Sequence, residues 1–316
     1  MIAKKAIIPL VCFLLLSGLA PAASQDETQT GKFYSKFSIK LSGGITSLPG
    51  GDMKDWFDGE SSYYSWLGSQ PGYSAQKDFS FSRTAFSPTL EVIWKALPQF
   101  GVSLGVGYFK KSWEPSSSVT YNFGAPSGSD TLQQTLKREV TVIPITITGM
   151  YILPVQARID INLFAGLGYY ITNLSFSDDI LYSWPNDPLA PNYEHTFAST
   201  FEPKTGTFGF HVGAGAEIAL FSRFSLTADI LYRLAKVGEL KAGQDWKEGF
   251  SWTGHQESTS GTMDDQTLWF GKSNWEGGSY NKAAIGAEAP SWLAGSRAFE
   301  FGLSGLVFRI GLKIGL

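Results

Sequence analysis

Three histidines, His195, His211 and His255, are the side chains best suited to carry protons near neutral pH. A hydrolase or acyltransferase would set one of them beside a serine nucleophile and an orienting carboxylate. No spacing in the chain ties any of the three to such a set. Asp52, Asp55, Asp58 and Glu60 gather four carboxylates in one short stretch. Their spacing is not the ligand order of an EF-hand loop, so a solvated acidic loop is expected rather than a calcium site. Gly166-Leu167-Gly168 and Gly213-Ala214-Gly215 do not complete a dinucleotide fingerprint or open a helix. No cofactor and no metal is expected. Tryptophan offers a different chemistry, contact area at little entropic cost. Nine of the ten, Trp56, Trp66, Trp113, Trp184, Trp246, Trp252, Trp269, Trp275 and Trp292, fall outside the regular segments described next, and Trp94 falls inside one.

Charge follows a second pattern. Lys36, Lys40, Glu91, Lys95, Asp160, Glu217, Asp229, Arg233, Arg309 and Lys313 each alternate with apolar neighbours at period two. Eight runs carry this alternation: Phe33–Ile45, Phe86–Leu97, Phe100–Phe109, Val142–Leu153, Ile159–Thr172, Thr207–Leu220, Phe224–Leu234 and Leu306–Leu316. The opposite face of every run holds no Lys, Arg, Asp or Glu. Lipid explains such a split, because a lipid-facing Lys or Arg costs about 2–4 kcal/mol at the bilayer midplane while a wet interior tolerates charge. Composition agrees. Charged residues are 17% of the chain against a usual figure of about 25%, and glycine, at 35 of 316, exceeds the typical ~7%. There is no basic excess to suggest nucleic acid as a partner.

The connections alternate in length. Pro98-Gln99, Pro154-Val155-Gln156-Ala157 and Phe221-Ser222-Arg223 are tight turns. Thr46–Ala85, Lys110–Thr141, Asn173–Gly206 and Ala235–Gly305 are long. Short periplasmic turns and long external loops mark outer-membrane barrels. The N-terminus fits: Lys4 and Lys5 precede the apolar run Ala6–Leu19 and an Ala20-Pro21-Ala22 cleavage pattern, so 1–22 reads as a signal peptide. Residues 23–32 read as a flexible lead and 33–316 as one β-barrel domain, with no periplasmic domain expected after Leu316. Cys12 is the only cysteine and lies in the signal segment, so the mature chain uses no disulfide. The expected fold is all-β: a closed antiparallel eight-stranded up-and-down transmembrane β-barrel with long extracellular loops. Phe299, Phe301 and Leu303 are out of phase with Leu306 onward, which predicts an irregularity at Ser304-Gly305. Ten strands is the rival count, but no pair of charge-free alternating faces occurs in Ala235–Gly305.

Ile143-Pro144-Ile145-Thr146-Ile147-Thr148-Gly149, Phe208–Gly215 and the terminal Ser304–Leu312 resemble the small eight-stranded outer-membrane barrels of the OmpA/OmpX and opacity type. The terminal stretch resembles the signal read by the barrel-assembly machinery, although it finishes in Leu316 rather than an aromatic. The resemblance implies a structural or surface-interaction role and carries over no catalytic residues. Partners expected are outer-membrane lipid and lipopolysaccharide, the assembly machinery during biogenesis, and a glycan or protein ligand at the loops. Two other functions compete: a narrow conduit for small solutes, and a lipid-modifying enzyme. An eight-stranded interior is just wide enough for side chains to fill. Glu91, Asp160, Glu217 and Asp229 are therefore expected to form one ion-pair network with Lys40, Lys95, Arg233, Arg309 and Lys313 that plugs it. The loop tryptophans either join an outer aromatic belt and let the loops pack into a cap of extra-membrane strands, or present exposed rings for recognition of glycan, lipopolysaccharide or host protein.

Overall fold

The computed structural model describes residues 35–124, 128–185, 191–275 and 278–316. The expected signal peptide, the lead and the first two residues of the first run lie outside these. In chain order the elements are β1 (Phe37–Ser47), α1 (Asp52–Gly68), β2 (Tyr73–Asp78), β3 (Thr84–Phe86), β4 (Thr89–Leu97), β5 (Phe100–Gly107), β6 (Phe109–Trp113), β7 (Ser116–Gly124), β8 (Gly128–Gln156) and β9 (Ile159–Trp184). They continue as β10 (Tyr193–Phe201), β11 (Lys204–Phe221), β12 (Phe224–Val237), β13 (Lys241–Trp252), β14 (His255–Trp275), β15 (Gly278–Gly286), β16 (Leu293–Ala298), β17 (Phe301–Gly302) and β18 (Gly305–Gly315).

The period-two runs form β1, β4, β5, β8, β9, β11, β12 and β18. Each pairs antiparallel with the next, and β18 pairs with both β12 and β1, so the eight make a ring. Following cross-strand partners from Lys40 one way passes Glu91, Gly105, Thr146, Gly168 and Gly209 to Ala235. The other way passes Lys313 to Ser225, ten residues earlier on β12. A stagger of ten around eight strands, at ~3.3 Å rise and ~4.8 Å spacing, tilts the strands roughly 40° from the ring axis.

The outward face of the ring is apolar. Leu41, Trp94, Leu104, Ile147, Leu167, Phe210, Ile230 and Ile310 are all exposed on it. Phe224 to Leu234 along β12 bounds the band; at that tilt it is about 25 Å tall, the height of a bilayer-facing belt. Tyr108, Tyr169 and Tyr232 lie toward one edge of the band, and Phe37, Trp94, Phe100 and Phe224 toward the other.

The long connections are not irregular loops, which corrects that part of the fold expectation; they form the strands of a cap beyond the belt, with one helix that was not expected. β8 and β9 stay paired from Gln156↔Ile159 out to Thr131↔Ser183, well past the belt. There the sheet continues as β2-β7-β8-β9-β10-β13-β14-β15. α1 fills the gap between β15 and β2. Glu60 pairs with Lys282 on β15, and the Lys77 ammonium on β2 donates to Ser61 and Ser65. The helix is legible after the fact: of its seven buried positions, Met53, Trp56, Phe57, Glu60 and Tyr64 fall at i, i+3, i+4, i+7 and i+11. Two glycines turn the chain into it, Gly50 at φ 84° and Gly51 at φ 56°, a region L residues rarely adopt.

β13–β16 occupy the segment considered for two extra ring strands, but they join this extension instead. The phase change falls where foreseen. β17 pairs with Val237, and β18 restarts at Gly305, φ 149°, where a Cβ would lie 2.5 Å from the Ser47 carbonyl oxygen. Beneath α1 the extension holds an apolar core in which Phe57, Phe109, Phe201, Phe299 and Phe301 are fully buried. Each such ring stabilises the fold by roughly 1.5–3 kcal/mol relative to exposure.

Candidate functional site: the charged interior of the ring

The pleat that puts apolar residues outward turns the intervening charges inward. Lys40, Glu91, Asp160, Glu217, Asp229, Arg233 and Lys313 are all buried. Burial makes pairing obligatory, since an isolated charge in low dielectric costs far more than it can recover. Four charges from four strands close into one cluster. Lys40 Nζ lies 3.1 Å from Glu91 Oε2 and 2.5 Å from Asp229 Oδ2. Arg309 reaches the same two carboxylates, Asp229 at 3.1 Å and Glu91 at 3.5 Å. Nearer the short turns, Lys313 pairs with Glu217, beside Lys95, and Asp160 stands opposite Glu217 in the register.

Glycines make room for this filling. A Cβ at Gly215 would lie 2.4 Å from Asp229 Oδ1, and one at Gly166 would lie 2.2 Å from the Ile147 carbonyl oxygen and 2.7 Å from His211 Nε2.

Arg233 departs from the expected network. It has no carboxylate partner among the described residues. Its Nε donates to the Leu303 carbonyl at 2.5 Å and its Nη2 to Thr46 Oγ1 at 3.1 Å. The rings of Phe109 and Tyr170 flank the guanidinium at 4.9 and 5.6 Å. The sequence put Arg233 among the acids by face alone. Its height on β12, four residues beyond Asp229, sets it at the base of the apolar core instead.

A cavity of about 80 Å³ runs between the charge cluster and Arg233, and a second of about 150 Å³ opens among Arg158, Arg223 and Ser225 at the short-turn end. Lys95, Glu217 and Lys313 line both. On the other side of Arg233 the interior is filled by Phe109, Val142, Tyr170, Val237, Phe301 and Leu303, all buried in one core.

The tryptophans take positions on the extension and the helix. Trp56 and Trp113 are buried; Trp66, Trp184, Trp246, Trp252 and Trp269 are partly covered; Trp292 is 55% exposed. Trp275 closes β14, and its side chain lies outside the described residues. Trp113 stacks on Phe81 at 4.9 Å, and Trp184 and Trp252 belong to a bank of rings with Tyr182, Tyr193, His195 and Phe250.

A ring of strands with an apolar belt outside and paired charges inside has a counterpart among known families. A model described as outer membrane protein beta-barrel domain matches residues 12–253. The chain belongs to that family. It is a protein of the bacterial outer membrane. Solved structures to which it is similar include the outer membrane protein OprG from Pseudomonas aeruginosa, at 12% identity and TM-score 0.38, with 90% of this chain and 97% of that one covered. Another is a major outer membrane protein from Thermus thermophilus, at 17% identity and TM-score 0.33, covering 89% and 98%. The outer membrane protease OmpT from Escherichia coli matches at 10% identity and TM-score 0.24, covering 89% and 94%. No curated protein matches the chain.

In this barrel-family protein the histidines occupy three separate places. His211 faces the interior with Nε2 2.8 Å from Thr148 Oγ1. His195 lies 2.7 Å from Glu248, and His255 2.7 Å from Glu257. Three of the four acids in the cluster pair with three different cations. Asp52 takes a bidentate pair from Arg297 at 2.6 Å, Asp58 pairs with Lys54, and Glu60 with Lys282 at 2.8 Å.

Sequence reasoning missed Arg138. It is buried in the extension, pairs with Asp178 at 2.5 Å and lies 4.5 Å from the Trp56 ring. Burial pushes its guanidinium below the ordinary arginine value. Its signal was present, since Arg138 continues the inward even-numbered phase of Thr146 and Thr148.

Proposed function

We propose that the protein is a closed eight-stranded barrel, plugged and non-enzymatic, that serves the cell envelope as a structural and surface-interaction protein. The belt meets acyl chains, the short turns face the periplasm, and the folded extension stands outside the membrane as a rigid platform. One observation carries the reading. The interior is blocked twice, by the Lys40–Glu91–Asp229–Arg309 cluster and by the apolar core above Arg233. A water-filled path would need a polar, open lumen, and a dry core of packed rings supplies neither. The same core ties α1 and the extension strands into one body, which suits a surface that presents itself to partners without refolding. Lipid and lipopolysaccharide are the first partners through the belt and its aromatic edges, and the assembly machinery is the partner during insertion. A glycan or protein ligand would meet the partly covered rings of the extension.

Single-channel recording on the refolded protein in planar bilayers tests the plug. The expected record is closed, with rare brief openings at most. Sustained conductance of porin size would overturn the reading in favour of a conduit. Unchanged lipid A acylation in a deletion strain is the matching expectation for the absence of lipid chemistry.

A further inference from the structure

The interior charges do not balance. Five cations line the cavity: Lys40, Lys95, Arg233, Arg309 and Lys313. Three carboxylates line it with them, Glu91, Glu217 and Asp229, and Asp160 is buried just beneath, across the register from Glu217. One cation remains in excess, and geometry says which. Lys40 and Arg309 share two carboxylates, and Lys313 holds Glu217 with Lys95 alongside. Arg233, 4% exposed, faces no carboxylate among the described residues. Two of its nitrogens donate to neutral oxygens, of Leu303 and Thr46, and its ring neighbours offer only quadrupoles. A buried guanidinium without a counter-charge is costly.

A second group turns toward the same space. His211 is the direct cross-strand neighbour of Arg233 and lines the same cavity. Its Nε2 is engaged by Thr148, and its Nδ1 is buried without a partner. If the Thr148 hydroxyl donates to Nε2, the imidazole carries its proton on Nδ1 and that N–H faces the cavity; an anion beside it would favour this tautomer. The Arg309 Nε is likewise buried without an acceptor on this wall.

We propose that the cavity is a binding site for one small monovalent anion of halide size, held between Arg233 and His211. The chemistry fits at three points. The excess charge is a single positive one. Two nitrogens near it, His211 Nδ1 and Arg309 Nε, are buried without a partner. The volume, about 80 Å³, is ample for a halide together with several waters. The site would neutralise the barrel interior and does not depend on the external role proposed above.

Bromide tests this on the wild-type protein. Crystals grown in sodium bromide should show an anomalous peak inside the barrel, in contact with the Arg233 guanidinium. In solution, the urea midpoint of the refolded protein should rise saturably with sodium bromide and not with sodium gluconate at equal ionic strength. Arg233→Gln should abolish that saturable rise, and Arg233→Lys should retain part of it. Interior density without anomalous signal, bromide on exposed lysines alone (an adventitious ion only), or equal midpoints in the two salts would each overturn the proposal. The diffraction and salt comparisons need no variant, so misfolding of Arg233→Gln leaves the test intact.

Discussion

Replacing Asp229 by Asn keeps the shape of the side chain and removes one of the two anions in the interior cluster. Lys40 and Arg309 are then left to share Glu91. At the 3.1 Å separation of Arg309 and Asp229, Coulomb's law with an effective dielectric of ~20 gives about 5 kcal/mol for that contact alone. Desolvating Asp229 offsets a share of this, and removing one partner of a buried pair typically costs about 3–5 kcal/mol in total. The expected loss for Asp229→Asn is therefore about 3–5 kcal/mol. Urea unfolding of the protein refolded into short-chain phospholipid vesicles, followed by tryptophan emission, measures it. Glu300→Gln is the control. Its pair with Lys236 is 2.7 Å long but sits in solvent, so the change should stay within about 1 kcal/mol. The double variant Lys40→Met with Asp229→Leu removes one charge of each sign and should recover much of the loss. If Asp229→Asn cost no more than Glu300→Gln, the cluster would be solvated as bulk water solvates ions. The plugged interior would then be wrong.

Gly166→Val should prevent refolding or cost at least about 1–3 kcal/mol, because its Cβ meets the Ile147 carbonyl oxygen at 2.2 Å; loss of the heat-modifiable gel shift reports it. Acrylamide quenching should fall most with Trp292→Phe, since Trp292 is 55% exposed, and hardly change with Trp56→Phe, at 6%. Burial raises the Tyr64 phenol above its ordinary value. The folded state therefore keeps a proton that the unfolded chain releases above about pH 10, and stability present below that pH falls as pH climbs beyond it. Urea midpoints at pH 9 and 11 should show the fall, and Tyr64→Phe should shrink it while losing the 2.8 Å bond to Gln134.

The eight ring strands were legible because lipid on one side and water on the other impose one rule on every strand, and period two displays it. Lys40, Glu91, Asp229, Arg309 and Lys313 could be placed in the interior from that rule alone. The glycines opposite the belt could be read as room for neighbours, although which neighbour each serves, as Gly215 serves Asp229, needed the register.

α1 was passed over because its apolar spacing lies inside an acidic, glycine-flanked stretch that also reads as a loop. Arg138 was passed over because its strand continues beyond the belt, where both faces change composition. Alternation states which face a residue is on, and so it determined the ring, its lipid side and its charged side. It does not state height along the axis or what stands across the barrel. Only the cross-strand registers decided that Asp229 meets two cations, that Arg233 four residues later meets none of the acids, and that the long connections close over the interior as a packed core. Those depend on contacts between residues far apart in the chain.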